Sequence, residues 1–260
     1  MDKLSVVIIT YNEERNIRPC LEAALKVADE VLVVDSFSTD CTLNICEELG
    51  VRFIQHEWKG YSEQKNFANA AASYDWILSV DADEVLDNTL QQAILEAKTK
   101  GFEGAYQVNR LTHYCGHPIR HCGWYPDIKL RLWNRTQGEW DGYIHEEVKL
   151  PSGTRIVRLS GHLNHYSYHS ISEHIRQADK FTDMTARTAF ERGEGRKLRF
   201  AILCKAGWKF LRAYFFQLGF LDGYYGMVVC RISAFATFLK YTKLNELHQH
   251  AKYHSETSDY

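Results

Sequence analysis

Apolar and polar positions alternate between two regimes along the first hundred residues. Leu4 to Ile9 is an apolar, largely β-branched run, which suits a strand buried on both faces. A helical spacing follows from about Glu14 to Ala28, with Pro19 early, where a first turn tolerates it. Val31–Val34 predicts a second buried strand ending at Asp35, and Thr39 or Asp40 can cap a short helix that runs to Leu49 and stops at Gly50. Val51–Ile54 predicts a third strand, Ser62 can cap a helix through Ala72, and Trp76–Val80 predicts a fourth strand that ends in Asp81-Ala82-Asp83. Asn88–Lys98 then reads as helix. Strands alternating with helices imply a parallel α/β sheet, and ligands of such sheets gather at the carboxyl ends of the strands. Asp35 and the Asp81/Asp83 pair both stand at such ends.

The pattern changes from about Gly104 to Leu163, which is rich in aromatics, histidine and glycine. Ala105–Asn109 and Ile128–Trp133 look like strands, so an antiparallel extension of the sheet with additional loops is expected there. From Ser172 onward the spacing is helical. There is no internal repeat and no low-complexity tract.

Composition adds little until it is divided. The 260 residues carry 31 Lys+Arg against 33 Asp+Glu, a formal net charge of −2 that argues against a nucleic-acid partner recognised by bulk charge. Residues 1–195 hold 21 basic and 29 acidic residues, whereas residues 196–243 hold nine basic residues, one acid (Asp222) and 12 aromatics. The seven cysteines are odd in number and scattered through apolar stretches, which suits reduced thiols better than a disulfide framework. The N-terminus has no signal-peptide pattern, and no apolar stretch reaches the roughly 18–20 residues of a membrane span. The expectation is a cytoplasmic protein.

Four features occur in order within 83 residues: Thr10-Tyr11-Asn12-Glu13 after the first strand, Asp35 at the end of the second, Gln64-Lys65-Asn66 in the helix before the fourth, and Asp81-Ala82-Asp83 after the fourth. Any one alone is weak, since an Asp after a strand is commonly a helix cap, as expected for Asp40, and Asn12 can cap the first helix. Together they resemble glycosyltransferase family 2. The resemblance implies a GT-A nucleotide-diphosphosugar transferase fold with a mostly parallel central sheet flanked by helices, here with a helical C-terminal extension. It implies a donor site made of Thr10, Tyr11, Asn12, Glu13, Asp35, Lys65, Asp81 and Ala82, and a divalent cation, Mg²⁺ or Mn²⁺, on Asp83 and Asp81, with His165 as a third ligand or else a hydrogen-bonded core histidine. Within that pattern Asp35 can accept from the uracil N3–H, and Lys65 can serve donor phosphates or the base pocket. Cys41 and Phe37 depart from the family, standing where glycine and small residues are usual. Ile77–Val85 also resembles the first motif of haloacid-dehalogenase phosphatases, which place it on their first strand rather than the fourth.

The second half extends the resemblance. Gly123-Trp124-Tyr125-Pro126-Asp127, Leu130-Arg131-Leu132-Trp133, Trp140-Asp141-Gly142-Tyr143-Ile144-His145-Glu146, His165-Tyr166-Ser167-Tyr168 and Gly219-Phe220-Leu221-Asp222-Gly223 are similar to the members that build lipopolysaccharide inner core, in particular β-1,4-glucosyltransferases acting on heptose. This implies an inverting, metal-dependent hexosyltransferase with UDP-glucose as donor and a lipid-anchored, heptose-containing acceptor. Other family 2 products (capsule or glycoprotein glycans) and a non-catalytic nucleotide-sugar-binding module are the alternatives. An inverting displacement needs a carboxylate base from the acceptor side. Glu146 is the first choice, with Asp127 and Asp141 as rivals, and a structural pairing of Glu146 with Arg131 is the alternative use. Trp124, Tyr125, Asp127, Arg131 and His145 are the expected acceptor contacts. His113, Cys115, His117, His121 and Cys122 lack a second zinc knuckle, so an acceptor loop is preferred to structural zinc.

The expected division is 1–170 for the catalytic domain, with 1–100 as the nucleotide-sugar half and 101–170 as the acceptor half, and 171–260 for a helical segment. In that segment Lys205, Lys209 and Arg212 share one helical face, while Phe200, Cys204, Trp208, Leu211, Phe215 and Leu218 occupy another. An amphipathic helix with basic edges suits an anionic membrane surface, though part of its apolar face is expected to pack inward. The localisation expected is therefore peripheral, on the inner face of the cytoplasmic membrane.

Overall fold

A computed structural model describes residues 2–142 and 146–257, with side chains up to Ala251. The chain divides into two compact units, Met1–Leu111 with Pro126–Tyr166, and Thr112–Tyr125 with Ser167–Tyr260.

The first unit is α/β. Its parallel strands are β1 (Leu4–Thr10), β2 (Glu30–Asp35), β3 (Arg52–Gln55) and β4 (Trp76–Asp81), joined through helices α1 (Ile17–Ala24), α2 (Thr42–Glu48) and α3 (Tyr61–Ala71). The unbroken apolar runs are explained by burial on both faces. Leu4, Val6, Ile8, Val31, Val33, Leu78 and Val80 face a core with α1, whereas Val7, Leu32, Val34 and Ile77 face a second core with α3 and Trp133. Past β4 come β5 (Glu84–Leu86), α4 (Asn88–Lys100), β6 (Ala105–Tyr114), β8 (Asp127–Asn134), the β9–β10 pair (Glu139–Asp141 and Glu147–Lys149) and β11 (Ile156–Tyr168), while the short β7 (His117–Pro118) belongs to the second unit and pairs there with His113 and Tyr114 at the end of β6. Among the described residues the main sheet runs β3-β2-β1-β4-β8-β6-β11-β5, with β7 added to β6. The β4–β8, β8–β6 and β11–β5 pairs are antiparallel, which is the extension anticipated for the middle of the chain.

Several boundaries differ from the sequence pattern for local reasons. Helix α1 starts at Ile17 rather than Glu14 and follows Asn16, so Asn12 does not cap it. Helix α3 follows Gly60, and the Ser62 hydroxyl donates to the Gly142 carbonyl (2.5 Å) instead of capping. The N-cap of α2 is Cys41, and Asp40, one residue before it, accepts from the Thr42 N–H (3.0 Å).

The second unit is helical. Helix α5 (Ile171–Glu191) is capped by Ser170, whose hydroxyl accepts from Glu173 N–H (3.1 Å), while the Glu173 carboxylate accepts from the His169 N–H (2.8 Å), one residue before the cap. Helix α6 (Arg199–Leu211) runs through a π turn (Arg212–Phe216) and a 3₁₀ turn (Gly219–Asp222) into α7 (Gly223–Thr257), forming a helical hairpin. The hairpin closes because Gly219 and Gly226 approach without side chains: a Cβ on Gly219 would sit 2.7 Å from Cys230 Sγ, and one on Gly226 would strike the Gly219 carbonyl. Among the described residues no helix is long and apolar enough to cross a membrane.

Candidate functional site

The ends of β1 and β2 carry two loops that lock together. Asn12 lies in the left-handed region (φ 54°), which aims its N–H at Ser38 Oγ (2.7 Å) and its Oδ1 at the Thr39 N–H (2.8 Å). Asp35 is fully buried and accepts from both the Ser38 N–H (2.8 Å) and the Ser38 hydroxyl. Both its oxygens are thus engaged in closing the loop, and a base could reach them only by sharing. Phe37 also has positive φ (62°), an uncommon conformation for an aromatic residue, and is half exposed, as is Tyr11. The Thr10 hydroxyl is buried, with no hydrogen-bond partner among the described residues. Glu13 accepts from Asn16 (2.7 Å); burial pushes its carboxyl up, and the Asp83 and Asp40 charges add to that.

The end of β4 carries the charges. Asp81 is paired with Lys65 (3.1 Å) and with Arg131 (3.0 Å). Burial favours its neutral acid, but these two cations outweigh it and hold the carboxyl well below the usual carboxylate range. Arg131 bonds Glu84 as well (2.6 Å), and Glu84 takes the Asp81 N–H (3.0 Å), so a fully buried carboxylate fixes the backbone at the start of the Asp81-Ala82-Asp83 turn. Burial alone would lower the Arg131 guanidinium, yet Glu84 and Asp81 raise it. Ala82, between Asp81 and Asp83 in sequence, is buried.

Asp83 points elsewhere. Strand β11 pairs His165 with Glu84 in register, Tyr166 N–H donates to the Asp83 carbonyl (2.9 Å), and His165 Nε2 therefore meets Asp83 Oδ2 at 3.1 Å. Burial would lower the imidazole, but the Asp83 hydrogen bond and charge raise it on balance. One carboxylate and one imidazole are two groups that can ligate a divalent cation. Among the described residues no group of three or more His, Cys, Asp or Glu is arranged to hold a metal ion by itself. Asp81, committed to two cations, faces Lys65 and Arg131.

Lys65 links this cluster to Glu146. Its ammonium is buried, 3.3 Å from Glu146 and 4.6 Å from the centre of the Trp140 ring. The partner of Glu146 is thus Lys65, and Arg131 serves Asp81 and Glu84. The rival bases are more tightly held. Burial favours the neutral acid of Asp127, but Arg110 (2.7 Å) and Lys129 (3.1 Å) lower its carboxyl on balance; Asp141 is exposed and lowered by Lys149. His145 lies outside the described residues.

Trp124 and Tyr125 belong to the helical unit. Trp124 packs on Tyr114, Tyr168 and His174, and Arg120 lies over the Tyr125 ring. In the same unit His121 bonds Asp222 (2.8 Å), and Cys122 is buried against Cys230, so these two members of the His/Cys run are used in holding the hairpin. Sequence reasoning assigned no role to Glu84, Ser38 or Trp140. Glu84 carried a signal, an acid in an otherwise apolar strand beside the acidic turn, and Trp140 stood at the head of the Trp140–Glu146 motif; Ser38 carried none.

The family model for glycosyl transferase family 2 matches residues 5–148. An uncharacterized glycosyltransferase of Rickettsia typhi is 33% identical over 95% of this chain and 88% of its own length. The lipopolysaccharide core biosynthesis glycosyltransferase LpsC of Rhizobium meliloti is 29% identical over 94% and 93%. The solved glucosyl-3-phosphoglycerate synthase of Mycobacterium tuberculosis overlaps 43% of this chain and 44% of that one, with 22% identity and a TM-score of 0.37.

Proposed function

Because the chain belongs to glycosyl transferase family 2, we propose that it transfers a hexose, glucose from UDP-glucose, to a heptose of a lipid-anchored lipopolysaccharide core, with inversion. The observation that carries this reading is the convergence of the β4 end, His165 and Glu146: Asp83 meets His165, and Lys65 joins Asp81 to Glu146. The relationship to a lipopolysaccharide core enzyme over nearly the whole chain supports the acceptor class.

In this reading Glu146 takes the proton of the acceptor hydroxyl as the oxygen attacks the anomeric carbon and UDP departs. Lys65 orients that carboxylate, and it turns with the ion pair rather than with solvent. Asp83 and His165 would hold Mg²⁺ or Mn²⁺, which when bound neutralises charge on the diphosphate. Thr10, Tyr11, Asn12 and Glu13 with the Asp35 loop form the nucleoside side, and Arg131 positions Asp81. Asp127 is proposed on the acceptor side, and a cytoplasmic-leaflet location follows from an acceptor built on lipid.

Purified protein with UDP-glucose, Mn²⁺ or Mg²⁺ and a heptose-terminated core should yield one added hexose, and Asp83→Ala should abolish the transfer. Full activity of Asp83→Ala would overturn the metal assignment. UDP binding with no turnover on any donor would favour a binding module instead.

A further inference from the structure

We propose that the α6–α7 hairpin is an interfacial membrane anchor, seated on an anionic bilayer through its π and 3₁₀ turns. Helix α6 buries Ile202, and the π turn after it buries Ala213, so the expected inward packing of the Phe200 stripe does not occur. Phe200, Leu203, Trp208 and Leu211 are exposed instead, Phe200 at 77%. Exposed apolar side chains continue through the turns into the start of α7, where Phe216 is 72% exposed, Leu221 57% and Tyr224 63%. Scattered apolar residues on a surface need no explanation, but this many exposed aromatic and aliphatic side chains on one hairpin mark an interaction site.

Charge selects the occupant. Residues 196–243 carry nine basic residues and a single acid. That acid, Asp222, is turned inward: it accepts from the backbone N–H groups of Arg120 (3.2 Å) and His121 (2.8 Å) and from the His121 ring, and its side chain is nearly buried. Lys243 is also spent inside the unit, on Asp179 (2.6 Å) and Asp183 (2.7 Å). Lys205, Lys209 and Arg212 remain exposed beside the apolar stripe. A face of aromatic and aliphatic side chains with cations at its edge and no outward carboxylate is complementary to lipid phosphates above an acyl layer. With no described helix able to span, the hairpin lies in the interface. Delivery of the enzyme to a lipid-anchored acceptor is the use this anchor would have, and that clause alone rests on the function proposed above.

Flotation of the full chain with vesicles of phosphatidylethanolamine and phosphatidylglycerol, against vesicles of phosphatidylcholine, tests the anchor. The wild type should float with the anionic vesicles. Lys205→Ala/Lys209→Ala/Arg212→Ala should weaken this about a hundredfold, and Phe216→Ser/Leu221→Ser at least about tenfold. Acyl-brominated lipid should quench a fluorescence component that Trp208→Phe removes, a reading on folded protein that does not depend on the multiple variants. Equal flotation of wild type and both variants, or no flotation of the wild type, overturns the proposal. So does a wild-type dimer without flotation that Phe216→Ser/Leu221→Ser dissociates, since that gives the face to a second copy. Transfer to a water-soluble, deacylated heptose acceptor separates the two readings: flotation without transfer retains the anchor and rejects the proposed reaction, whereas transfer that survives in non-floating variants retains the reaction.

Discussion

Glu146 and Asp127 show why residue type alone does not choose a base. Both follow the acidic turn in sequence, but Asp127 is clamped by Arg110 and Lys129, whereas Glu146 meets one cation, Lys65 at 3.3 Å, among the described residues. A carboxylate held below its ordinary range is a weaker proton acceptor. Glu146→Gln should therefore lower kcat about 10²–10⁴-fold while UDP affinity, read by calorimetry, stays within experimental scatter; an active variant would move the base elsewhere. At this scale the sequence told which residues stand at strand ends and no more. Asp83 and His165 were both singled out, but Asp81 and Asp83 look equivalent in the motif. Only the register of β11 sends Asp83 to His165 and leaves Asp81 to Lys65 and Arg131. Asp35, read as an open acceptor, is closed over by Ser38, a neighbour whose reach depends on Phe37 adopting positive φ.

Among the elements, the parallel strands β1, β2 and β4 were legible because burial on both faces writes them as apolar runs, and Trp76–Val80 is extended by Asp81 alone. Strands β5 and β11 were not. Glu84–Leu86 is three residues long, and Ile156–Tyr168 interleaves Arg, Ser, Gly, His and Asn between its apolar positions. Of those polar residues His165 meets Asp83, whereas Arg158 bonds Asn109 and His162 bonds Asp87, so side-chain contacts of several kinds interrupt the apolar pattern. The β4, β5 and β8 ends are held by Arg131 with Glu84 and Asp81, all in one unit. Removing one partner of a buried pair leaves an uncompensated charge. Arg131→Met should cost about 3–5 kcal/mol in urea unfolding, and adding Glu84→Gln should recover part of it; a loss below about 1 kcal/mol would show that the network is not structural.

On the scale of the whole molecule, the near-neutral charge hides an acidic α/β unit and a basic helical one, a division visible in the sequence, whereas the allotment of Thr112–Tyr125 to the helical unit was not. That segment lacks helical spacing and joins the helices through aromatic contacts such as Tyr114 with His174. His174 gives this unit a pH signature. Buried between Tyr114, Trp124 and Tyr168, it is lowered to about 4 by burial. The unfolded chain then binds more protons than the folded one between about 6.5 and 4, so stability is complete above the ordinary histidine value and is lost as pH falls towards 4. Urea midpoints between pH 7 and 4.5 should fall less steeply for His174→Gln than for wild type, and identical slopes would refute the assignment.

The most direct test of the proposed reaction is mass spectrometry of lipopolysaccharide from a strain lacking this gene. The account predicts an inner core short of one hexose on heptose, restored by the wild-type gene and not by the Asp83→Ala form; a core identical to that of the parent strain would contradict it.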